Sequence, residues 1–330
     1  MSKRFLQDVR IPDKIAEKML EDFSKKGIIS NDTLSLFSDV SKYNLKSLKL
    51  PDIDMNTSGK TLMDYTWYSF KEISLGCNTS INRWSIRKLC DSFVGSQYTL
   101  TTLKIDLYPA VNITAGTIFD FFVQFPNLRN LDYTTPILRN QQTFTNKNWD
   151  NLLTSCSKLK ALQISINGSS KDIELDSELF LKGKHLESLS LFSILKSQVA
   201  VHSFACIQYF LELDNLRELD LSIDLDPPDA NLLNLNMFEQ NLENHTTTLA
   251  KHFEKFLELS IGKLQLLESL DLSGIYKIND MNVQEFIESH SSLRFLGLCM
   301  LQSKFCVNGD AVAYYPNLKA SNITITFVFI

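Results

Sequence analysis

Apolar residues recur along this chain in a short pattern, Leu-x-x-Leu-x-Leu, in which isoleucine, phenylalanine or tyrosine can replace leucine. The last two apolar positions of each copy are two residues apart, which is the side-chain period of a β-strand. The copies are Leu45-Leu48-Leu50, Phe70-Ile73-Leu75, Leu100-Leu103-Ile105, Leu128-Leu131-Tyr133, Leu159-Leu162-Ile164, Leu186-Leu189-Leu191, Leu216-Leu219-Leu221, Leu267-Leu270-Leu272 and Leu293-Leu296-Leu298, with a degenerate tenth copy from Leu318. Self-similarity of this kind is typical of repeat architectures.

The copies begin 25 to 31 residues apart, except for an interval of 51 residues between Leu216 and Leu267. That interval holds either an insertion or a degenerate repeat. Between copies, apolar residues three and four apart predict helices, as in segments 84–90, 118–122 and 283–287. One unit therefore contains a strand, a turn, a helix and a return segment. Because a single unit cannot bury its own leucines, neighbouring units must stack.

This pattern predicts an α/β leucine-rich-repeat solenoid, with a curved parallel sheet on the concave face and helices on the convex face. We expect about ten repeats over residues 44–330 and an N-terminal helical cap over residues 1–43. Residues 323–330 alternate and then become wholly apolar, which predicts a final strand.

The predicted cap contains two helices. Pro12 suits the first turn of a helix, where its missing N–H group costs nothing. Lys25, Lys26 and Gly27 supply a stop signal, and the segment 31–33 offers a cap for the second helix. The residues expected on the apolar side of the first helix are Ile15, Ala16, Met19, Leu20 and Phe23.

The positions between the leucines are small and polar, and they become acidic in the later copies. They are expected on the concave face, where they form either a partner groove or a solvated sheet surface. The charged candidates for partner contact are Lys49, Lys104, Asp132, Glu218, Asp220 and Asp271. The asparagine that usually follows such a strand is mostly missing: Asn167 fits, but Ile53, Pro136 and Ile275 stand at equivalent places.

Charge and composition narrow the possible partners. The formal net charge is −5 and the lysines are scattered along the sequence, which argues against a surface that follows nucleic-acid phosphates. The first ten residues do not resemble a secretory leader, and no apolar run approaches the ~20 residues of a membrane helix. Cys90 and Cys206 lie among apolar neighbours, as reduced core thiols do. We therefore expect a cytoplasmic or nuclear protein that binds neither nucleic acid nor membrane.

Motifs for catalysis are missing from the sequence. It contains no Gly-x-x-x-x-Gly-Lys or Gly-x-Gly-x-x-Gly loop for a nucleotide, no His-Glu-x-x-His for zinc and no Gly-x-Ser-x-Gly elbow for a hydrolase. We expect no catalytic centre, no cofactor and no metal.

Three stretches of the sequence carry a family resemblance. Residues 11–20 (IPDKIAEKML) and 27–37 (GIISNDTLSLF) look like the opening unit, and residues 267–298 resemble the last repeats, of the Zyg-eleven/Zer-one family. Members of that family are substrate receptors of cullin-two RING ubiquitin ligases. They bind elongin C through an N-terminal box, and the cullin through a following hydrophobic-Pro-x-x-hydrophobic box. The resemblance makes Ile11, Pro12 and Ile15 candidate cullin contacts, with Met19 and Leu20 as supporting apolar residues.

The chain departs from the family pattern at both ends. Residues 1–10 offer no Leu-x-x-x-Cys for an elongin box, and the family's C-terminal armadillo array, which binds glycine degrons, has no counterpart. Ile86, Cys90 and Val94 fit the elongin pattern loosely, although a role in core packing is the alternative. The resemblance implies a non-catalytic protein-interaction module of the ubiquitin conjugation pathway, a substrate-receptor-like subunit that recruits target proteins. The alternative is a leucine-rich-repeat scaffold or adaptor that has lost ligase association.

Overall fold

A computed structural model of the chain describes residues 11–38, 43–54, 62, 64, 67, 69–77, 83–107, 115–136, 145–167, 182–191, 208–222, 251–273, 280–300 and 324–329. The chain divides into two compact units, the first ending at Asn167 and the second beginning at Gly168. The helices within the described ranges are too short or too polar for any of them to cross a membrane. The tenth repeat's predicted start at Leu318 lies outside the described residues, as do Cys206 and Ile275.

The first unit begins with two helices and continues with strands and helices in alternation. Its elements are α1 (Asp13–Lys25), α2 (Asn31–Phe37), β1 (Ser47–Ile53), β2 (Glu72–Cys77), α3 (Arg83–Phe93), β3 (Thr102–Leu107), α4 (Ala115–Phe122), β4 (Asn130–Pro136), α5 (Asn146–Ser155) and β5 (Ala161–Asn167). Strands β1 to β5 pair in sequence order, and every pair is parallel. Parallel neighbours follow from the predicted repeat, because each return segment brings the chain back to the same edge of the sheet.

The second unit continues the same arrangement with shorter strands. Its elements are β6 (Ser188–Ser190), β7 (Glu218–Asp220), α6 (residues 251–260), β8 (Ser269–Asp271), α7 (Asp280–Ser289), β9 (Phe295–Met300) and β10 (Thr324–Phe329). Strands β6 to β10 also pair in parallel and in sequence order. The predicted final strand is confirmed as β10, and the three predicted helical segments lie within α3, α4 and α7.

Register places the repeat leucines of neighbouring strands directly beside one another. In the first unit one row of partners runs Leu48, Ile73, Leu103, Leu131 and Leu162, and a second runs Leu50, Leu75, Ile105, Tyr133 and Ile164. In the second unit the row runs Leu189, Leu219, Leu270, Leu296 and Ile325. The ten side chains of the first unit's rows are at most 2% exposed. Burial of one such side chain stabilises the fold by roughly 1.5–3 kcal/mol, so the rows form the core.

The long interval between Leu216 and Leu267 is an insertion. Leu219 of β7 is the direct register partner of Leu270 of β8. A degenerate repeat with a strand of its own would stand between them. The extra residues therefore lengthen one repeat and do not interrupt the sheet.

Aromatic side chains join the helices of the first unit to each other and to the sheet. Phe119 of α4 meets Trp149 of α5 edge to face, with ring centroids 5.3 Å apart. Phe122 of α4 meets Tyr133 of β4 in the same way at 5.4 Å. Such edge-to-face pairs add about 0.5–1.5 kcal/mol to the area that they bury. The helices thus cover the apolar side of the strands, and the in-between positions face the other way.

The two helices of the cap end and begin at specific backbone hydrogen bonds. After α1, Gly27 adopts φ +60°, and its N–H group bonds Ser24 O while the N–H of Ile28 bonds Phe23 O. This is a Schellman ending, which favours glycine in the left-handed conformation. The cap of α2 was predicted within residues 31–33, and this was wrong by one residue. Ser30 is the cap, because it is extended and its hydroxyl accepts from the N–H of Thr33 at 3.2 Å.

Together these features define an α/β leucine-rich-repeat fold in each unit, with a helical cap at the start of the first, as the sequence predicts. The predicted boundary between residues 43 and 44 falls inside the first unit.

Candidate protein-interaction surfaces

Helix α1 packs with one face against β1. Ala16, Leu20 and Ser24 form this inner face and are completely buried. The hydroxyl of Ser24 accepts from the N–H of Asp52 and donates to the carbonyl of Asp52, both at 3.0 Å. An unpaired strand edge invites association with other chains. Helix α1 therefore covers part of the edge that β1 presents.

At the free edge of β1, the Glu17 carboxylate replaces the backbone carbonyl that a preceding repeat would supply as a hydrogen-bond acceptor. Within the array, the carbonyl just before a strand accepts two N–H groups of the next repeat, as Lys46 O accepts from Lys71 and Glu72. Before β1 this acceptor is the Glu17 carboxylate, whose Oε1 lies 2.6 Å from the nitrogen of Lys46 and 2.9 Å from that of Ser47. A carboxylate oxygen bonds N–H groups about twice as strongly as a neutral acceptor. Glu17 thus satisfies the two N–H groups that the first repeat would otherwise leave open.

The outer side of α1 and the two residues that precede the helix carry most of the predicted cullin-binding residues. Ile15 is 51% exposed and Pro12 is exposed, while Ile11 and Met19 are partly buried. Leu20 lies on the other side, fully buried against the repeat array. The structure therefore separates the five candidates into four that reach the surface and one that belongs to the core.

The loose elongin-type pattern, which begins in α3 and ends just after it, also combines buried and exposed residues. Ile86 is 1% exposed, Cys90 is half-buried and Val94 is 54% exposed. Ile86, Cys90 and Phe121 also line a shallow depression of about 320 Å³ between α3 and α4. Ile86 belongs to the core of its repeat.

In the first unit, the open face of the sheet carries paired charges. Lys49 Nζ lies 2.8 Å from Glu72 Oε1, and Lys104 Nζ lies 2.5 Å from Asp132 Oδ2. These side chains line a shallow depression of about 240 Å³. Burial raises the pKa of Asp106 beside it, an effect that Lys104 opposes and Asp132 reinforces. Three of the predicted contact residues, Lys49, Lys104 and Asp132, thus come together on one face.

In the second unit, the acidic candidates of the open face also hold the turns. Asp220 Oδ1 accepts from the N–H of Ser222, and Oδ2 accepts from the hydroxyl of Ser190 at 2.8 Å. Asp271 Oδ1 accepts from the N–H of Ser273 at 2.9 Å. In both turns, the Asp carboxylate accepts from the N–H group of the Ser two residues later. This hydrogen bond replaces the one that the missing turn asparagine would make. Glu218 is exposed and lies two residues before Asp220 in β7.

Among the described residues, burial shifts the pKa of two cysteines and of His290. Burial raises the pKa of Cys90 to about 11 and that of Cys156 to about 12. Burial lowers the pKa of His290, whose ring stacks on Phe286 and whose Nε2 lies 3.1 Å from Lys263 O. Within the described ranges, no group of His, Cys, Asp and Glu is arranged to hold a metal ion.

Fold and surfaces together define a leucine-rich-repeat protein. No protein-family model matches the sequence, and no curated protein matches it. Similar solved structures include the leucine-rich-repeat-containing protein LegL7 from Legionella pneumophila, which is 14% identical over 81% of this chain and 78% of that one, with a TM-score of 0.38. They also include the complex of Rad7 and Elc1 in yeast, 15% identical over 98% of this chain and 91% of that one, with a TM-score of 0.37. The assignment of this chain to the leucine-rich-repeat class therefore rests on the register of its own strands.

Proposed function

We propose that this chain is a non-catalytic protein-interaction subunit of the cytoplasm or nucleus, which serves a cullin-two RING ubiquitin ligase as a substrate-receptor-like component. The outer side of α1 contacts the cullin, with elongin C as a further ligase partner. The open sheet faces recruit the target protein.

The proposal is supported by the different roles of the two sides of helix α1. Its inner side packs against β1, and its outer side faces solvent. Leu20 and Ser24 fix its inner face against β1, so the helix needs no partner to remain in place. Ile15 is then presented to solvent on a preformed helix, and Pro12 is exposed at the N-cap of that helix. Exposed apolar residues on a rigid helix suit recognition by another protein, because no ordering of the helix has to accompany binding.

The states of the buried thiols and histidine support a non-catalytic role. A cysteine nucleophile reacts as the thiolate, and a pKa of about 11 for Cys90 or about 12 for Cys156 keeps both thiols protonated at neutral pH. His290 packs against Phe286, away from solvent.

The direct test is co-purification of the tagged chain with cullin-two and elongin C from cells. Ile15→Asp places a charge on the outer side of α1 without touching its inner face, and should reduce recovered cullin at least tenfold. Met281→Asp is the matched control, since Met281 is 67% exposed and lies on α7 in the second unit. Recovery of cullin from the wild type and the control alone supports the proposal. A wild-type chain that recovers neither ligase subunit contradicts it.

The second candidate function is a repeat scaffold without ligase association. The charged depression on the open face of the first unit favours this alternative, because Lys49, Lys104 and Asp132 line a surface that could bind a partner without any ligase subunit. It predicts stable protein partners in the same purification, unchanged by Ile15→Asp and free of cullin and elongin. Charge reversal on the open face at Lys49 and Lys104 would then remove partners that the outer side of α1 does not hold.

A further inference from the structure

The shallow depression between helices α3 and α4 of the first unit has an apolar floor. Its volume is about 320 Å³. Ile86 of α3 and Phe121 of α4 line it and are each 1% exposed, and Cys90, which also lines it, is half-buried. The helices lie on the other side of the strands from the open sheet face, so this depression is separate from the charged one on that face.

Small side chains leave room between these two helices. Between α4 and α5, Phe119 and Trp149 are in contact, with ring centroids 5.3 Å apart. Between α3 and α4, the lining includes Cys90 and Thr117, which are much smaller than these aromatic residues. Protein interiors are closely packed. A recess between two neighbouring helices at the surface is therefore a place that a side chain from outside can fill.

The rim of the depression carries more negative than positive charge. Asp91 of α3 and Asp120 of α4 are exposed there, and Arg87 is the basic residue that lines it with them. Among the residues that the structure describes, these three make no ion pair. Segments 78–82 and 108–114, which precede the two helices, contain no charged residue. One of the two carboxylates therefore lacks a compensating cation.

The Cys90 thiol is affected by both carboxylates. Burial is the main cause of its raised pKa of about 11, and the charges of Asp91 and Asp120 raise the pKa further, whereas a hydrogen bond with the Gln124 side chain lowers it. A nearby negative charge has this effect because it disfavours the thiolate. The depression is therefore electronegative at its floor as well as at its rim.

We propose that the depression between α3 and α4 receives a long basic side chain, lysine or arginine, of a partner protein. The stem of that side chain lies over the floor formed by Ile86 and Phe121, and its cationic end reaches Asp91 and Asp120. Lysine and arginine suit this arrangement because their methylene stems cover apolar surface while their charged ends stay near water. The proposal rests on the general part of the proposed function, that the repeat array binds proteins, and not on the cullin contact at α1.

Other occupants fit the depression less well. The phosphates of a nucleic acid or of an anionic lipid surface would be repelled by Asp91 and Asp120, and charge complementarity of this kind selects partners. Sites for small molecules are usually clefts of about 300–1,000 Å³ that enclose most of the ligand. This depression is shallow and lies at the lower end of that range. A side chain presented by a folded partner needs no such enclosure, because the partner itself holds it in place.

The test is an NMR titration of the intact purified chain with ¹³C-labelled isoleucine methyl groups. The probes are blocked tripeptides with alanine at both ends and arginine, lysine or glutamine in the middle. The reporter is the Ile86 signal, assigned with Ile86→Val. Asp91→Asn with Asp120→Asn removes both carboxylates from the rim. Glu285→Gln with Glu288→Gln removes the same number of charges at exposed positions of α7 in the second unit, and so controls for the overall charge.

A second pair of variants tests the depression with both carboxylates retained. Gln124 lines it and is partly exposed. Gln124→Lys supplies a cation from the chain itself, which should occupy the carboxylates and prevent binding of the arginine peptide. Gln124→Met changes the same position without adding charge and should leave binding within twofold of the wild type. Circular dichroism verifies that every variant is folded.

We expect the Ile86 signal to shift saturably with the arginine and lysine peptides and not with the glutamine peptide, with dissociation constants on the order of 1 mM, as suits a single side chain. Affinity should fall about fivefold or more without Asp91 and Asp120, should change less than twofold in the second-unit control, and should weaken as salt screens the charges.

Three results overturn the proposal: no saturable shift at low salt, equal shifts with the glutamine and arginine peptides, or equal losses in the two charge-removal variants. Cullin recovery depends on Ile15, so a failure here is distinct from a failure of the proposed function.

Discussion

The carboxylate of Asp271 lies beside Gly297 on the neighbouring strand, where an added Cβ atom would stand 2.2 Å from Asp271 Oδ1. The same oxygen accepts from the N–H of Ser273 and holds the turn after β8. Glycine at 297 therefore leaves the room that this turn requires. A similar relation exists in the first unit, where a Cβ on Gly76 would stand 2.0 Å from Pro51 O.

These two glycines predict different losses of stability. Gly297→Ala displaces a carboxylate, which can rotate, and should cost about 1–2 kcal/mol. Gly76→Ala meets a backbone carbonyl and should cost more, about 3 kcal/mol, because the backbone yields less than a side chain. Urea unfolding of both variants measures the difference. In an Asp271→Ala background the cost of Gly297→Ala should shrink, and an unchanged cost would show that the Asp271 carboxylate is not the obstacle.

The hydrogen bonds of Glu17 to the backbone before β1 should contribute measurably to the stability of the first repeat. Glu17→Leu removes the acceptor for two backbone N–H groups and should destabilise the first unit by about 2 kcal/mol. Glu17→Gln keeps one carbonyl acceptor and should cost less. Hydrogen exchange at Lys46 and Ser47 reports the closure directly, with faster exchange expected in the leucine variant.

Glu21→Leu is the control for that experiment. Glu21 lies one turn further along α1 and pairs with Lys25 and Lys18 at the surface. Surface pairs of this kind contribute about 0–1 kcal/mol. Equal acceleration of exchange in the Glu17 and Glu21 variants would refute the capping role of Glu17.

Alkylation should distinguish the buried thiols from ordinary ones. Iodoacetamide reacts with thiolates, and a pKa of about 11 for Cys90 leaves far less thiolate at pH 7.5 than the ordinary value near 8.5. Cys90 should react about two to three orders of magnitude more slowly than a free thiol, and Cys156, with a pKa of about 12, should react more slowly still. Peptide mass spectrometry of timed samples gives both rates. Rapid modification of Cys156 in the folded chain would contradict its burial.

His290 predicts a loss of stability on mild acidification. Its pKa is lowered in the folded chain because burial disfavours the charged ring. The unfolded chain therefore binds a proton first, so the contribution of His290 is present above pH 6.5 and is lost as pH falls below that value. His290→Gln removes this dependence. Melting temperatures at pH 7.5 and 5.5 should differ more in the wild type than in the variant. An equal difference in the two proteins would refute the assignment.

The leucine rows could be predicted because strand period and repeat length together determine register. Leu131 and Leu162 are 31 residues apart in sequence and direct partners in the sheet, as stacking requires. The insertion before Leu267 could not be distinguished from a repeat, since strand pairing alone excludes an additional strand. The functions of Asp220 and Asp271 in the turns were also missed, although the shared sequence Leu-Asp-Leu-Ser carried the signal.

The orientation of α1 was harder to predict than its existence. Ile15 and Leu20 both belonged to the expected apolar side, yet Ile15 is 51% exposed and Leu20 is fully buried. The buried Ser24 explains this orientation. Its hydroxyl forms hydrogen bonds with the backbone of Asp52 and so holds that side of the helix against β1. Hydrophobic spacing cannot reveal a polar side chain whose partner lies 28 residues away.

The basic residues Lys71 and Arg129, which directly precede β2 and β4, illustrate a second limit of sequence analysis. Lys71 and Arg129 are 58 residues apart, and basic residues of this kind are therefore scattered along the sequence. Stacking of repeats brings such residues onto adjacent strands. A charge pattern in a solenoid becomes visible when each residue is compared with its counterpart one repeat away.

Site-specific photo-crosslinking in cells tests the central claim most directly, that the anchored helix α1 presents its outer side to a ligase. The photoreactive residue p-benzoylphenylalanine would be placed at Ile15 in one chain and at Met281 in another, and the crosslinked proteins would be identified by mass spectrometry. The account predicts a crosslink to cullin-two from position 15 and none from position 281. A chain that crosslinks to no ligase subunit at position 15, or to the same proteins from both positions, would contradict it.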